Sequence, residues 1–264
     1  MMASSMNLEV RLTRDPEDIA AAQALRYHVF YEEMNAQPTP AMAAAKRDFD
    51  EFDADCDHLL VLDHTQPLGR TVVGTYRLLP QAVAERRGGF YSATEYDLSR
   101  VIDRYASAGG LLELGRSCVR AEYRTTATIQ LLWRAIATYL AEMRITHMFG
   151  CASLPGTDPS KLALPLSYLY HHHLAPEEIR VRALPHRYVD MNMMHVDEVS
   201  LRRALHQLPP LVKGYLRLGC YVGDGAVVDY QFGTTDVFIL LPVGRIAGRY
   251  FSHFDRGDAM MALV

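Results

Sequence analysis

Leu111-Leu112-Glu113-Leu114-Gly115-Arg116-Ser117-Cys118-Val119 leads through Arg120-Ala121-Glu122-Tyr123-Arg124 into a segment with a different apolar rhythm. The first nine residues read as a strand. From Thr125 to Arg144, residues Ile129, Leu132, Trp133, Ile136, Leu140 and Met143 recur at helical spacing. His147 to Ala152 is short and apolar, which predicts a buried strand. Strand, basic turn, long helix and strand is therefore the frame from which the rest of the chain is read.

On the N-terminal side, Leu8–Leu12 alternates apolar and charged residues and predicts a first strand. Asp15-Pro16-Glu17-Asp18 carries the marks of a helix start: a capping carboxylate, proline in the first turn and acids facing the positive end of the dipole. The helix is expected to reach about Met34, with Ile19, Ala22, Leu25, Val29 and Phe30 turned inward. The stretch Pro38–Ala45 breaks the pattern, and the acidic run Asp48-Phe49-Asp50-Glu51-Phe52-Asp53 follows. His58–Asp63 and Thr71–Leu79 form a predicted hairpin, and Ser92-Ala93-Thr94-Glu95 has capping-box spacing. On the C-terminal side, Lys161–His173 is a predicted helix, Leu208–Leu218 an apolar segment and Phe232–Pro242 strand-like. Glycines 219, 223 and 225 read as a loop, and Val243–Phe254 is aromatic with spaced arginines. The order predicts an α+β sandwich with a mixed central sheet. The expected division is a core over residues 1–200 and a C-terminal extension over 201–264, packed on the core and near a membrane.

The 264 residues carry 27 basic and 31 acidic side chains, a formal net charge of -4, which argues against a nucleic-acid partner. Only Lys46, Lys161 and Lys213 among the basic residues are lysines. Cys56, Cys118, Cys151 and Cys220 contain no close pair, so neither a zinc site nor a redox Cys-x-x-Cys fits. No signal sequence or membrane-spanning run is visible, and a cytoplasmic location, alone or with peripheral contact at the membrane, is expected. His171-His172-His173 would face different directions on a helix, so no metal is expected. Ser117 and Cys118 lack the setting of a nucleophile elbow.

Strand alternation places Glu113 with Gly115 and Ser117 on one face and Arg116 on the other, unless a bulge intervenes. A carboxylate inside a central strand must be paired or hydrogen-bonded; it is either a catalytic group or half of a structural Glu–Arg pair. The turn Arg124-Thr125-Thr126-Ala127-Thr128 offers N–H groups, hydroxyls and a guanidinium at a helix start, the parts of a phosphopantetheine cradle or simply of a cap. The acidic run is either a substrate site or a loop locked to arginines, its Phe49 and Phe52 anchoring it inward.

Taken together, these features resemble the acyl-CoA N-acyltransferase (GNAT-like) fold, a three-layer α/β/α sandwich. The turn lacks the glycine-rich signature of CoA-dependent members and is similar to the branch that uses acyl carrier protein. Arg26 and Phe30, the triplet Asp48, Asp50 and Asp53, Arg77, and the Glu113-x-x-Arg116 pair match motifs of the acyl-homoserine-lactone synthases, where the first acidic position is often Glu.

Ala24–Tyr27, Arg47–Asp53, Cys56–Asp63, Gly89–Ala93, Gly150–Ser153, Leu208–Arg217 and Gly233–Val237 resemble more closely the bacterial ornithine N-acyltransferases, over nearly the whole chain. That resemblance implies transfer of a 3-hydroxyacyl group from the 4'-phosphopantetheine of acyl carrier protein to the α-amine of L-ornithine, giving lyso-ornithine lipid without a tightly bound cofactor. It implies Glu113 as base, directly or through water, with Arg116 orienting it or the acyl carbonyl. Arg26, Phe30, Asp48, Asp50, Asp53 and Arg77 are the expected substrate-binding residues. Arg120, Arg124, Thr125, Thr126 and Thr128 are expected to meet the phosphopantetheine or its carrier, with Arg134, Arg144, Arg180, Arg182 and Arg187 as further basic docking residues. The alternatives are an acyltransferase for another amino acid, a lactone-type synthase, and a non-catalytic membrane-active protein.

Overall fold

The computed structural model describes residues 7–67, 69–107 and 110–246. The chain divides into two compact units, one holding the residues up to Leu79 with Leu114–Glu142, the other holding Pro80–Glu113 with the residues from Met143 onward. The division falls inside the strand Leu111–Val119.

In the first unit, β1 (Leu8–Thr13) and β2 (Asp57–Asp63) pair antiparallel from Leu8–Asp63 to Thr13–His58. Strand β3 (Val72–Pro80) pairs antiparallel with β2, the register slipping between Val61 and Leu62. Helix α1 (Pro16–Tyr27) begins as expected, the Asp15 carboxylate accepting from the N–H groups of Glu17 and Asp18. Ala22, Leu25 and Val29 pack with Leu60, Leu62, Val72 and Cys118, and Phe30 lies against this cluster. The predicted helix reaches Glu33, but His28–Glu33 is π-helical. The stretch expected to break the pattern contains a short helix, α2 (Pro40–Ala45), capped by the Thr39 hydroxyl.

In the second unit, α3 (Gln81–Arg87) ends at Gly88, φ 89°, and Gly89 follows at φ 152°. These two conformations, open chiefly to glycine, lead into a 3-10 turn, Tyr91–Thr94. The expected capping box is not formed there: no side chain caps the turn. After the two-residue strand β4 (Tyr96–Asp97) and helix α4 (Ser99–Tyr105), strand β5 (Leu111–Val119) occupies its predicted span. Its first three residues pair in parallel with β6 (His147–Pro155), Glu113 opposite Phe149. Helix α5 (Thr126–Glu142), of the first unit, buries Leu132, Trp133, Ile136 and Leu140 as predicted. Met143 falls past its end and is exposed.

Helix α6 (Ala163–His173), β7 (Arg182–Ala183), α7 (Leu201–Gln207) and α8 (Pro210–Leu218) precede the hairpin of β8 (Tyr221–Asp229) and β9 (Thr234–Pro242). β9 pairs antiparallel with β6 along its whole length, from Pro242–His147 to Thr234–Pro155, and with β8 on its other side. β7 adds in parallel to β8, and β4 antiparallel to β7. The sheet is mixed, as expected of an α+β fold.

The glycine loop expected around residue 223 is β8 itself, bulged between Val222 and Ala226. Gly225 has φ 88°, and a Cβ there would lie 2.4 Å from the Tyr188 ring, so glycine here serves a bulge under close packing. Val243–Ile246 is helical, and the remainder of the expected aromatic tail, to Phe254, lies outside the described residues.

Candidate active site

Glu113 is the last β5 residue paired with β6, and its side chain is buried. Its carboxylate accepts from two consecutive main-chain donors of the 3-10 turn: Tyr91 N–H to Oε2 at 2.7 Å and Ser92 N–H to Oε1 at 2.8 Å. Buried charge is tolerable when such donors face it, and the positive end of the turn's dipole adds to them. The stretch Gly89–Ala93 therefore seats Glu113, a role that strand alternation does not reveal.

Three residues on, Arg116 has φ 48°. A left-handed non-glycine residue costs about 1–2 kcal/mol, and it breaks the alternation expected for β5. Arg116 Nε lies 3.2 Å from Asp48 Oδ2 and Nη2 lies 3.1 Å from Asp50 Oδ2. The guanidinium expected to orient Glu113 or the acyl carbonyl also meets the acidic run.

The three aspartates of the acidic run are all tied down. Fully buried Arg26 meets Asp53 through Nη1 (3.0 Å) and Nη2 (2.5 Å), and its Nη2 donates to the Asp48 carbonyl at 2.6 Å. Arg26 Nε is 2.8 Å from Asp48 Oδ2, an ion pair without the alignment of a hydrogen bond. Arg77 Nη1 reaches Asp50 Oδ1 (2.5 Å) and Asp53 Oδ1 (3.0 Å), and Phe52 lies beneath its guanidinium. Tyr31 donates to Asp48, Gln23 to Asp53. Burial pushes the Asp53 carboxyl up, but Arg26, Arg77 and Gln23 outweigh it and hold it well below the usual range. At Asp50, too, the pull of Arg77 and Arg116 exceeds the burial effect and lowers its titration. Three guanidiniums face three carboxylates in a charge-balanced lock. Asp50 and Arg116 form its more accessible end, with side chains 19% and 12% exposed.

The expected phosphopantetheine turn has its own local partners. Arg124 forms a two-pronged ion pair with Glu33, at 2.5 and 2.8 Å, and donates from Nε to the Val119 carbonyl. Thr125 Oγ1 accepts from the Thr128 N–H (3.4 Å) and lies 3.2 Å from the Thr128 hydroxyl, as a cap does. Thr128 is buried and Thr126 half-buried. Arg120, expected on a basic docking face, is buried instead, its Nη2 donating to the Val72 carbonyl. Arg134, Arg144 and Arg182 are exposed, the last beside Asp224; Arg180 and Arg187 are half-buried.

A second group of acids was not singled out from the sequence. Glu95 and Asp236 are buried in the second unit; burial and then the Asp236 charge raise Glu95 to about 6, and burial raises Asp236 to about 6 against the opposing pull of the Thr234 and Ser153 hydroxyls. Arg187 Nη2 donates to Glu95 Oε1 at 3.0 Å, and the Cys151 thiol lies 3.6 Å from Oε2. The Cys151 thiol is driven far up by burial, then by Glu95, Asp236 and Glu113. Cys118, raised to about 12 by burial, is a packing residue. His171 and His173 contact the Met194 carbonyl and the Tyr168 hydroxyl. Among the described residues, no helix is long and apolar enough to cross a membrane.

A GNAT acetyltransferase domain is recognised over residues 25–134. L-ornithine N(alpha)-acyltransferase of Rhizobium meliloti (strain 1021) is 50% identical over 250 residues, covering 94% of this chain and 84% of that protein. Its namesake from Rhodobacter capsulatus is 42% identical over 259 residues, covering 97% and 98%. Among solved structures, FeeM, an N-acyl amino acid synthase from uncultured soil microbes, superposes with a TM-score of 0.51 at 11% identity, over 93% of this chain and 96% of its own; that likeness speaks for the fold alone. With half its residues shared along nearly its full length, the chain belongs to the L-ornithine N(alpha)-acyltransferase family and is an acyltransferase.

Proposed function

We propose that the protein moves a 3-hydroxyacyl group from the phosphopantetheine thioester of acyl carrier protein to the α-amine of L-ornithine, yielding lyso-ornithine lipid. The observation that carries this reading is the 50% identity over 94% of the chain to proteins named for ornithine Nα-acylation. In the reaction the neutral α-amine attacks the thioester carbonyl, a C–N bond forms and the C–S bond breaks. Glu113, directly or through water, accepts the proton lost by nitrogen and passes it to the departing thiolate, so the pantetheine leaves as a thiol.

At pH 7 an α-amine with a pKa near 8 gives up only ~1.4 kcal/mol to become neutral. Alignment of the two reactants is worth roughly 7–11 kcal/mol and one oxyanion donor about 3 kcal/mol. Positioning therefore outweighs the base. The register of β5 with β6 runs from Leu111 to Glu113, and a main-chain N–H of β5 beyond it is the proposed oxyanion donor. Arg26, Asp48, Asp53 and Arg77 then act as a scaffold that fixes Arg116 and Asp50, while Phe30 packs against the apolar cluster of α1 and the strands. Thr125, Thr126 and Thr128 start α5, where a helix N-terminus favours the pantetheine phosphate. The acidic carrier docks on exposed arginines, Arg134 and Arg144 among them, and the amphiphilic product leaves toward a membrane surface.

The test offers 3-hydroxyacyl carrier protein with L-ornithine, L-lysine, L-tyrosine or S-adenosylmethionine, and follows free thiol and N-acyl product by mass. Ornithine-dependent thiol release with N-acylornithine is expected. A product formed only with another amine would replace the acceptor, and thiol release with none would remove the reading.

A further inference from the structure

Ornithine presents two ammonium groups, and the acidic triplet does not offer them an open partner: Asp48, Asp50 and Asp53 already meet Arg26, Arg77 and Arg116. The second unit holds carboxylates in the opposite condition. Asp236 stands on β9 opposite Ser153 of β6, two residues along from the Phe238–Cys151 pair and four from Leu240–Phe149. These positions share one face of the sheet by strand alternation. Phe149 is also the partner of Glu113 in β5. Glu95 enters the same neighbourhood through Cys151, and Tyr96 donates to the Asp236 carbonyl while its ring lies 5.4 Å from that of Phe238.

Several polar atoms here are buried without a well-aligned hydrogen bond. Asp236 Oδ1 has no aligned donor, although the Thr234 and Ser153 hydroxyls beside the carboxyl temper its rise. Thr234 Oγ1, two residues earlier on the same face of β9 and 5% exposed, makes no other hydrogen bond. The fully buried Ser92 hydroxyl is likewise unpartnered, although Ser92 N–H holds Glu113 and its carbonyl accepts from Glu95 N–H. Buried polar groups without partners are rare and call for a reason. Against Glu95, Asp236 and the neighbouring Asp229 stands Arg187, so negative charge is in excess. A primary ammonium supplies three donors and one positive charge, the complement of carboxylates in excess over Arg187 and of hydroxyl oxygens that still have lone pairs to offer. The two nitrogens of extended ornithine lie about 6 Å apart, close to the ~7 Å that two residues of β6 span between Phe149, beside Glu113, and Cys151, beside Glu95.

We propose that Glu95 and Asp236, with the Ser92 and Thr234 hydroxyls, form the subsite for the side-chain ammonium of the diamino-acid acceptor, while Glu113 serves its α-amine. This rests on the ornithine reading above and assigns the specificity to a different acidic group from the triplet.

The experiment compares L-ornithine with L-norvaline, the same skeleton without the second amine, as acceptors for 3-hydroxyacyl carrier protein. Wild-type protein is expected to prefer ornithine in kcat/KM. Asp236→Asn and Glu95→Gln are expected to cut that preference at least tenfold, mainly by raising KM for ornithine. An unchanged ratio in both variants, or a wild type indifferent to the second amine, overturns the subsite and leaves the acyltransferase reading standing. Failure of wild type to acylate ornithine at all counts against the function instead. A measurement without variants guards against misfolding: calorimetry at pH 6 in buffers of different ionisation enthalpy. Ornithine should release more protons than norvaline as the buried carboxyls ionise against the ammonium, and equal release counts against the subsite.

Discussion

Glu113 holds the chemistry in this account because its two oxygens are fixed by consecutive backbone donors rather than by a mobile side chain. Such fixing suits a group that must meet an amine at one place. Glu113→Ala should lower kcat by about 10²–10⁴, the range of general-base contributions, with the fold intact by circular dichroism. A wild-type rate would remove Glu113 from the reaction. Arg26 is a different case: it is fully buried between two carboxylates. Its removal strands their charge, and Arg26→Ala should cost about 3–5 kcal/mol in urea unfolding. A loss under 1 kcal/mol would show that the lock is not structural.

The acidic segment Asp48–Asp53 and the Glu95–Asp236 pair carry opposite pH signatures. Asp50 and Asp53 titrate below the ordinary range, so the stability they contribute is present above the unfolded carboxyl range, near pH 4, and is lost as pH falls through their folded values. Glu95 and Asp236 are raised to about 6. Above that pH they are ionised in both states and the burial cost is full; as pH falls from 6 toward 4 only the folded state takes up the proton, and the cost is relieved. Asp236→Asn should accordingly stabilise the fold at pH 8 by on the order of 2–3 kcal/mol, seen as a higher melting temperature, and change it little at pH 4.5. A lower melting temperature at pH 8 would contradict the burial argument.

Much of this layout was legible in the sequence. The spans of β1, β2, β5, α5 and β9 follow from apolar period and turn residues, and the pairing of acids with arginines was one of two readings of the Asp48–Asp53 run. β8 was hidden because Gly223 and Gly225 look like a loop until Tyr188 is seen to fill the space a side chain would need. The seat of Glu113 was hidden because main-chain donors leave no residue signature. The Glu95–Asp236 pair lies 141 positions apart in the chain, and nothing local marks such a meeting.

At the scale of the whole molecule, a net charge of -4 would oppose the proposed acidic carrier except where arginines are exposed. Docking should therefore weaken with salt as charge is screened. Arg134→Glu, on an exposed position of α5, should raise KM for acyl carrier protein several-fold and leave melting near wild type; an unchanged KM would place the docking face elsewhere. The family relation extends over both compact units, so both are expected to be needed for turnover. The most direct measurement is the product itself: purified protein, 3-hydroxyacyl carrier protein and L-ornithine, analysed by mass. The account predicts Nα-acylornithine in amounts equal to the carrier thiol set free. Thiol without an acylated amine, or an acyl group on the δ-nitrogen, would contradict it.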